Sequence, residues 1–458
     1  MRRSLRMLLL GLVVGVASFA CMKPAGDAAA AGRVPVPGTH AFTAQTALYE
    51  VFVRDFSPEG TLQGVIRGLD RIQATGAEVV WLMPIYPVGV KNHKGKLGSP
   101  YAVKDYHAIN PAFGTAADLH ELVDSVHARG MKIILGWVPN HTAWDNVWVT
   151  EHPDYYAHTA DGKMTVPRDL SGHLTDWTDV AELDYDNPAL RRAMIDAMKY
   201  WLTTFDVDGF RMDVAGFIPD SFWKEAIPQL RAVRPILLLA EWDDPKMQAD
   251  GFDLTYPWSS YSRLKAVWKG GPAADFVEKE LQDLAQYPDS GGMRMRMTTN
   301  HDETAWDAPP VTLFGGPAGA RAAYVAMALL PGPPLLYNGQ AVESPQKLGL
   351  FDKEPVDWNQ PDADEARAFY RKVIGLSRTN PSLVNGGLAV VATDAEQDVI
   401  AYRRGDVVVL VNARSKRVNA TVTAPDLNGA RNLLGGGVQH GQTVALPAYG
   451  AVVLALAG

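Results

Sequence analysis

The chain has 458 residues, 47% hydrophobic and 21% charged, which is globular composition and too long for one small core. One large domain with a smaller companion is the natural expectation. A formal net charge of −8 supplies no basic patch and argues against a nucleic-acid partner. The 12 Trp and 16 Tyr serve equally well as core or as stacking platforms for flat-faced ligands such as sugars.

Arg2, Arg3 and Arg6 precede the short apolar run 7–20, the pattern of a secretory signal peptide over 1–21. The run is too short for a confident membrane span. The single cysteine, Cys21, ends it. Two readings stand: Cys21 is a lipid attachment site, as in bacterial lipoproteins, or cleavage nearby makes it incidental. Either way the expectation is export, to a periplasmic, outer-membrane-anchored or extracellular location. A lipid on Cys21 would be the only membrane contact. Residues 22–42, rich in Pro, Gly and Ala, read as a flexible tether.

From there, short apolar runs alternate with helical-period segments. The candidate strands are 47–56, 77–86, 131–140, 207–215, 235–242, 251–258, 293–300 and 333–340. Helical patterns occupy 62–76, 116–130, 188–205, 321–330 and 364–379. Eight such units fit a (β/α)8 TIM barrel over 43–380, although an open doubly wound sheet alternates in the same way. The connection at 142–187, rich in Trp, Tyr, His and Asp, is too long for a plain loop and reads as an inserted subdomain. Residues 381–458 carry closely spaced β-type runs and read as a C-terminal antiparallel β domain.

Chemistry in such a barrel sits at the carboxyl ends of the strands. Asn140 and His141 close the third run, Arg211 and Asp213 lie in the fourth, Glu241 closes the fifth, and Asn300, His301 and Asp302 follow the seventh. Two-residue periodicity puts Arg211 and Asp213 on one strand face, and an arginine beside a carboxylate keeps it ionised. Asp208 falls on the other face and reads as structural. A lone acid at a strand end is usually a helix cap. Three acids, two histidines and an arginine at four strand ends exceed what capping needs. A divalent-metal site is the rival, but no close histidine pair or H-E-x-x-H spacing supports it. No glycine-rich phosphate loop follows a strand.

These residues resemble glycoside hydrolase family 13, the α-amylase family. The resemblance spans most of the chain through GWVPNH (136–141), GFRMDVA (209–215), AEW (240–242) and TNHD (299–302), in the family's order. SPYAVKDYHAINPAFGT (99–115), AELDYDNPALR (181–191) and PGPPLLYNGQ (331–340) add to it. It implies a retaining hydrolase of α-glucosidic bonds, mainly α-1,4, in starch-like glucans or maltooligosaccharides. Asp213 would be the nucleophile, Glu241 the general acid/base and Asp302 the third acid, gripping the 2- and 3-hydroxyls. His141 and His301 would hydrogen-bond the sugar, Arg211 would position Asp213, and Tyr101 would stack on the ring. Negative charge on Asp213 and Asp302 is expected to raise the Glu241 pKa. Residues 142–187 would be a short domain B and the terminal β domain a domain C.

The resemblance requires no cofactor for the chemistry. Asn140 matches a calcium ligand of many amylases, which leaves a structural calcium open. The expected partner is an α-glucan or oligosaccharide, and the residues say nothing of oligomeric state. Gly136 stands where most members carry Asp, Ala215-Gly216-Phe217 replaces a Lys-His common after the nucleophile, and Ala341 replaces a common acid. Transglycosylation or isomerisation at the same site, of the trehalose-forming type, is the alternative. A non-catalytic glycan-binding homologue is a second one, expected to lose at least one of the acids.

Overall fold

Eight apolar segments form one parallel sheet in the computed structural model of the chain, which describes residues 46–287 and 292–457. They are β1 (Leu48–Val51), β2 (Val79–Leu82), β3 (Lys132–Trp137), β4 (Gly209–Met212), β5 (Leu237–Ala240), β6 (Leu254–Thr255), β7 (Met293–Arg294) and β8 (Leu335–Tyr337). Their order is β8-β1-β2-β3-β4-β5-β6-β7. A parallel bridge from Arg296 to Pro334 joins the two ends, so the sheet closes into the expected (β/α)8 barrel. Helices cover its outer face, so nearly every strand residue is buried and the strands read as continuous apolar runs. The signal, tether and Cys21 readings concern residues outside those described. Among the described residues no helix is long and apolar enough to cross a membrane.

Each run singled out in the sequence holds one strand. Local signals place the matching helices. Thr115 and Asp118 form a reciprocal capping box at Ala116–Ala128, and Asn187 caps Pro188–Thr204 with Pro188 at its first turn. Three helices carry no such pattern. Asp220–Arg231 contains Pro228, a helix breaker by propensity. Trp258–Trp268 opens on Trp, Ser and Tyr without a side-chain cap, and Ala274–Leu284 also lacks one. Tertiary packing carries these helices where local preference does not.

The amino end of the barrel is fastened by two buried aspartates. Asp208 accepts the Ile133 N–H at 2.9 Å and meets His127 and Lys132 at 2.7 and 3.0 Å. Asp253 accepts the Leu238 N–H at 2.8 Å and pairs with Arg231 at 3.0 Å. Asp208 is therefore structural, as its strand face implied.

The segment after β3 forms a two-stranded antiparallel pair, His141–Ala143 with Val180–Glu182, plus the short helix Val147–Glu151. Toward the carboxyl terminus a five-stranded antiparallel sheet (Leu388–Val390, Val399–Arg404, Val407–Asn412, Ala451–Ala455, Arg431–Asn432) is joined by the pair Val418–Thr421 and Thr443–Leu446. Tyr402 and Arg404 of this sheet donate to carbonyls of Ala326 and Leu329, tying it to the barrel's helical layer.

Gly209 opens β4 at φ +143°, and a Cβ there would lie 1.9 Å from the Leu237 carbonyl oxygen. No side chain fits between β4 and β5 at that height. Gly209→Ala is expected to cost more than about 1 kcal/mol in denaturant unfolding. A change within error would show that β4 can shift away from β5.

Candidate active site

The central side chain is Arg211, fully buried on β4. Its guanidinium carbon lies 5.3 Å from the ring centre of Trp81, 5.4 Å from Tyr256 and 5.7 Å from Tyr101. Nε donates to Tyr256 Oη at 3.2 Å. Nη1 donates to Asp213 Oδ1 at 2.6 Å, and Nη2 forms an ion pair with Glu241 Oε1 at 2.7 Å. The two carboxyl groups thus meet two different nitrogens of one rigid planar cation.

Asp213 and Glu241 leave their strands at equivalent heights. The Asp213 N–H donates to Trp137 O at 2.8 Å and the Glu241 N–H to Met212 O at 3.0 Å, so each continues the barrel's ladder. Between them Val214 adopts φ +37°, ψ +47°, a left-handed conformation that a β-branched residue rarely takes. This turn aims the Val214 N–H at Glu241 Oε2, 2.8 Å away. Strain of this kind, of order 1–3 kcal/mol, persists where surrounding contacts dictate it. Burial pushes the Glu241 pKa up to about 8; Arg211 opposes the rise, and the charges of Asp213 and Asp302 add to it. Neighbouring acids were the expected cause, but loss of water is the larger one.

Asp302 comes from the first turn of the helix His301–Trp306, which follows β7. Its Oδ2 is 3.2 Å from His301 Nε2, and its charge acts on both Glu241 and Tyr101. His301 is buried. Its Nδ1 contacts Glu50 Oε1 and its Nε2 meets Tyr101 Oη at 2.6 Å. Burial disfavours its charge, yet Asp302 and Glu50 outweigh that and raise its pKa. The Tyr101 ring stacks on the His301 imidazole at 5.3 Å and 20°, so part of its surface already has a partner.

His141 lies close enough to Asp213 to feel its charge. Asn140 Nδ2 can only donate, so at 3.2 Å it makes His141 Nδ1 the acceptor and leaves the proton on Nε2. Burial lowers the His141 pKa, against the charges of Asp213 and Asp179. A neutral ring presenting an N–H is the result. The Asp179 carboxylate pairs with Lys94 Nζ at 3.0 Å. Among the described residues no three His, Cys, Asp or Glu side chains gather into a metal-binding group.

Arg211, Asp213, Glu241, Asp302, His301, Tyr101 and His141 therefore stand within contact or charge range of one another at the carboxyl rim. Residues not anticipated from the sequence join them. Glu50, fully buried on β1, orients His301; its signal was a lone acid in the apolar run LYEV. Trp177, Phe217 and Trp242 form an aromatic wall beside Glu241. Trp177 stacks on Phe217 at 6.0 Å and 15°, and Trp242 meets Phe217 at 5.6 Å. A Cβ on Gly216 would lie 2.0 Å from the Trp242 ring, so the Gly216-Phe217 departure is what seats the indole. Gly136 has a similar cause: a Cβ there would lie 2.8 Å from Pro84.

Replacing Arg211 by Lys removes the planar fork and cannot serve both carboxyl groups. Breaking a buried pair costs about 3–5 kcal/mol, so Arg211→Lys is expected to lose stability of that order in chemical denaturation. An unchanged midpoint would mean that the two acids do not depend on this cation.

A family model described as the α-amylase catalytic domain matches residues 18–235. A crystal structure of an α-amylase from Lactobacillus plantarum is 31% identical, with TM-score 0.77 over 90% of this chain and 98% of that one. A maltogenic α-amylase from Thermotoga neapolitana is 28% identical in structure comparison, with TM-score 0.80 over 91% and 99%. The maltogenic α-amylase of Bacillus acidopullulyticus is 27% identical over 422 residues, covering 85% of this chain and 69% of that protein. With the barrel and its rim of acids, these likenesses place the chain in glycoside hydrolase family 13, the α-amylase family, as a glycosidase of that type.

Proposed function

We propose that the chain is a retaining glycosidase that cleaves α-1,4-glucosidic bonds of starch-like glucans or maltooligosaccharides through a covalent intermediate on Asp213. The observation that carries this is the Arg211 guanidinium contacting both Asp213 and Glu241. Retention needs two carboxyl groups about 5 Å apart, one ionised and one protonated. The site supports that division: Asp213 accepts a short bond from the arginine, while burial favours the protonated form of Glu241. Relatives called maltogenic α-amylase and cyclomaltodextrinase support the substrate class.

In the first step Asp213 attacks the anomeric carbon as the bond to the leaving oxygen breaks. Glu241 gives its proton to that oxygen. Glu241, now a carboxylate, then takes a proton from water, the water oxygen bonds to the anomeric carbon, and the bond to Asp213 breaks. Asp302 and the His141 N–H bind sugar hydroxyls as positive charge develops on the ring. No step requires a cofactor. We read the molecule as exported, on the N-terminal pattern alone.

A second reading, sugar transfer, is favoured by the wall of Trp177, Phe217 and Trp242. It borders Glu241, where a second sugar could wait for the glycosyl group in place of water.

Asp213→Asn is expected to reduce hydrolysis of maltoheptaose by about a thousandfold or more. Near-normal turnover would overturn the assignment. NMR of fresh product should show the α-anomer first; an initial β-anomer would mean inversion. The rate should fall as pH rises through about 8, where Glu241 loses its proton. A descending limb in the ordinary carboxylate range would contradict its role as the acid.

A further inference from the structure

We propose that Trp306, backed by Phe351, is a further glucosyl-binding platform of the cleft, one helical turn beyond Asp302. The proposal rests on the glucan-cleaving reading and extends it to chain length.

Asp302 and Trp306 are four residues apart on the helix His301–Trp306, so they share a face about 6 Å apart along the axis. Asp302 belongs to the cluster of acids, and the indole therefore stands one helical turn away from it. Trp306 is 62% exposed, and it is the one aromatic among the large exposed hydrophobic side chains of the described residues. Scattered exposed valines and leucines need no explanation. An indole held in water one helical turn from the acids does, since aromatic rings are well suited to stack on the C–H faces of a pyranose.

The indole has a fixed neighbour. Phe351 meets it edge-on, with ring centres 5.9 Å apart and planes at 64°, which leaves an indole face open. The loop after β8 that carries Phe351 is stitched to the loop after β2 that carries Tyr101. Buried Arg54 donates to Leu350 O at 2.8 Å and to Gly98 O at 3.1 Å, and the Leu97 N–H donates to Phe351 O at 2.9 Å. Tyr101, Phe351 and Ala305 pack against one apolar cluster. A continuous set of contacts therefore runs from Tyr101, beside His301, through Phe351 to Trp306. Trp358 differs: Arg71 lies over its ring at 4.4 Å, and its Nε1–H is spent on Phe56 O.

The test compares wild type, Trp306→Ala and Trp306→Phe on maltotriose and maltoheptaose. For Trp306→Ala the KM for maltoheptaose should rise about tenfold with kcat unchanged, while maltotriose kinetics stay within about twofold. Trp306→Phe should restore most of the loss, and the melting temperature should not move. Calorimetric titration of maltoheptaose into Glu241→Gln, with and without Trp306→Ala, should show the same drop in affinity. An equal loss on both sugars, or none on maltoheptaose in either assay, would overturn the platform. If the wild-type chain cleaves neither sugar, the function reading fails while the titration still decides this proposal.

Discussion

One buried cation organises the site. The Arg211 guanidinium has no access to water, and removing such a charge from solvent is costly unless partners replace the lost hydration. Three aromatic rings surround it, and a tyrosine oxygen and two carboxyl groups accept its charge. The dependence runs both ways. Asp213 and Glu241 sit side by side because the cation lies between them, and the cation tolerates burial because the acids are there. The strained turn at Val214 belongs to the same constraint, since it directs an N–H to the outer oxygen of Glu241.

The barrel separates stability from chemistry along its axis. Asp208 and Asp253 face the amino end, where each is neutralised by cations and bonded to a backbone N–H of a neighbouring strand. At the carboxyl end the acids meet one another around Arg211 and His301 instead. Glu50 mediates between these roles. It is buried like a structural acid, yet it acts through His301 on the residues at the rim.

Much of this was legible in the chain. Doubly buried strands must be apolar, so the charges in VDGFRMDVA stood out against β4, and the opposite faces of Asp208 and Arg211 followed from two-residue alternation. Strand ends gave Glu241, His301 and Asp302 in the same way. Glu50 announced itself by the same rule and was missed because a single acid in a short run is weak alone. The wall of Trp177, Phe217 and Trp242 was illegible for another reason: its rings come from three separate segments, and no local period joins them. The helices around Pro228 and Trp258 were obscured because tertiary packing overrides their weak local preference. The Glu241 shift had the right sign but the wrong leading cause, because burial of a strand-end residue depends on loops that the strand itself does not specify.

Asp213, the carboxylate two residues beyond this arginine, is the group proposed to bond to the sugar. A fluorinated maltosyl fluoride, which loads a retaining site faster than it leaves, tests this most directly when the protein is digested and its peptides are weighed. One added glycosyl group is expected on the peptide spanning 209–215, located at Asp213 and absent from Asp213→Asn. Label on Glu241 or Asp302 instead, or turnover of the fluoride with no labelled peptide at any time, would contradict it.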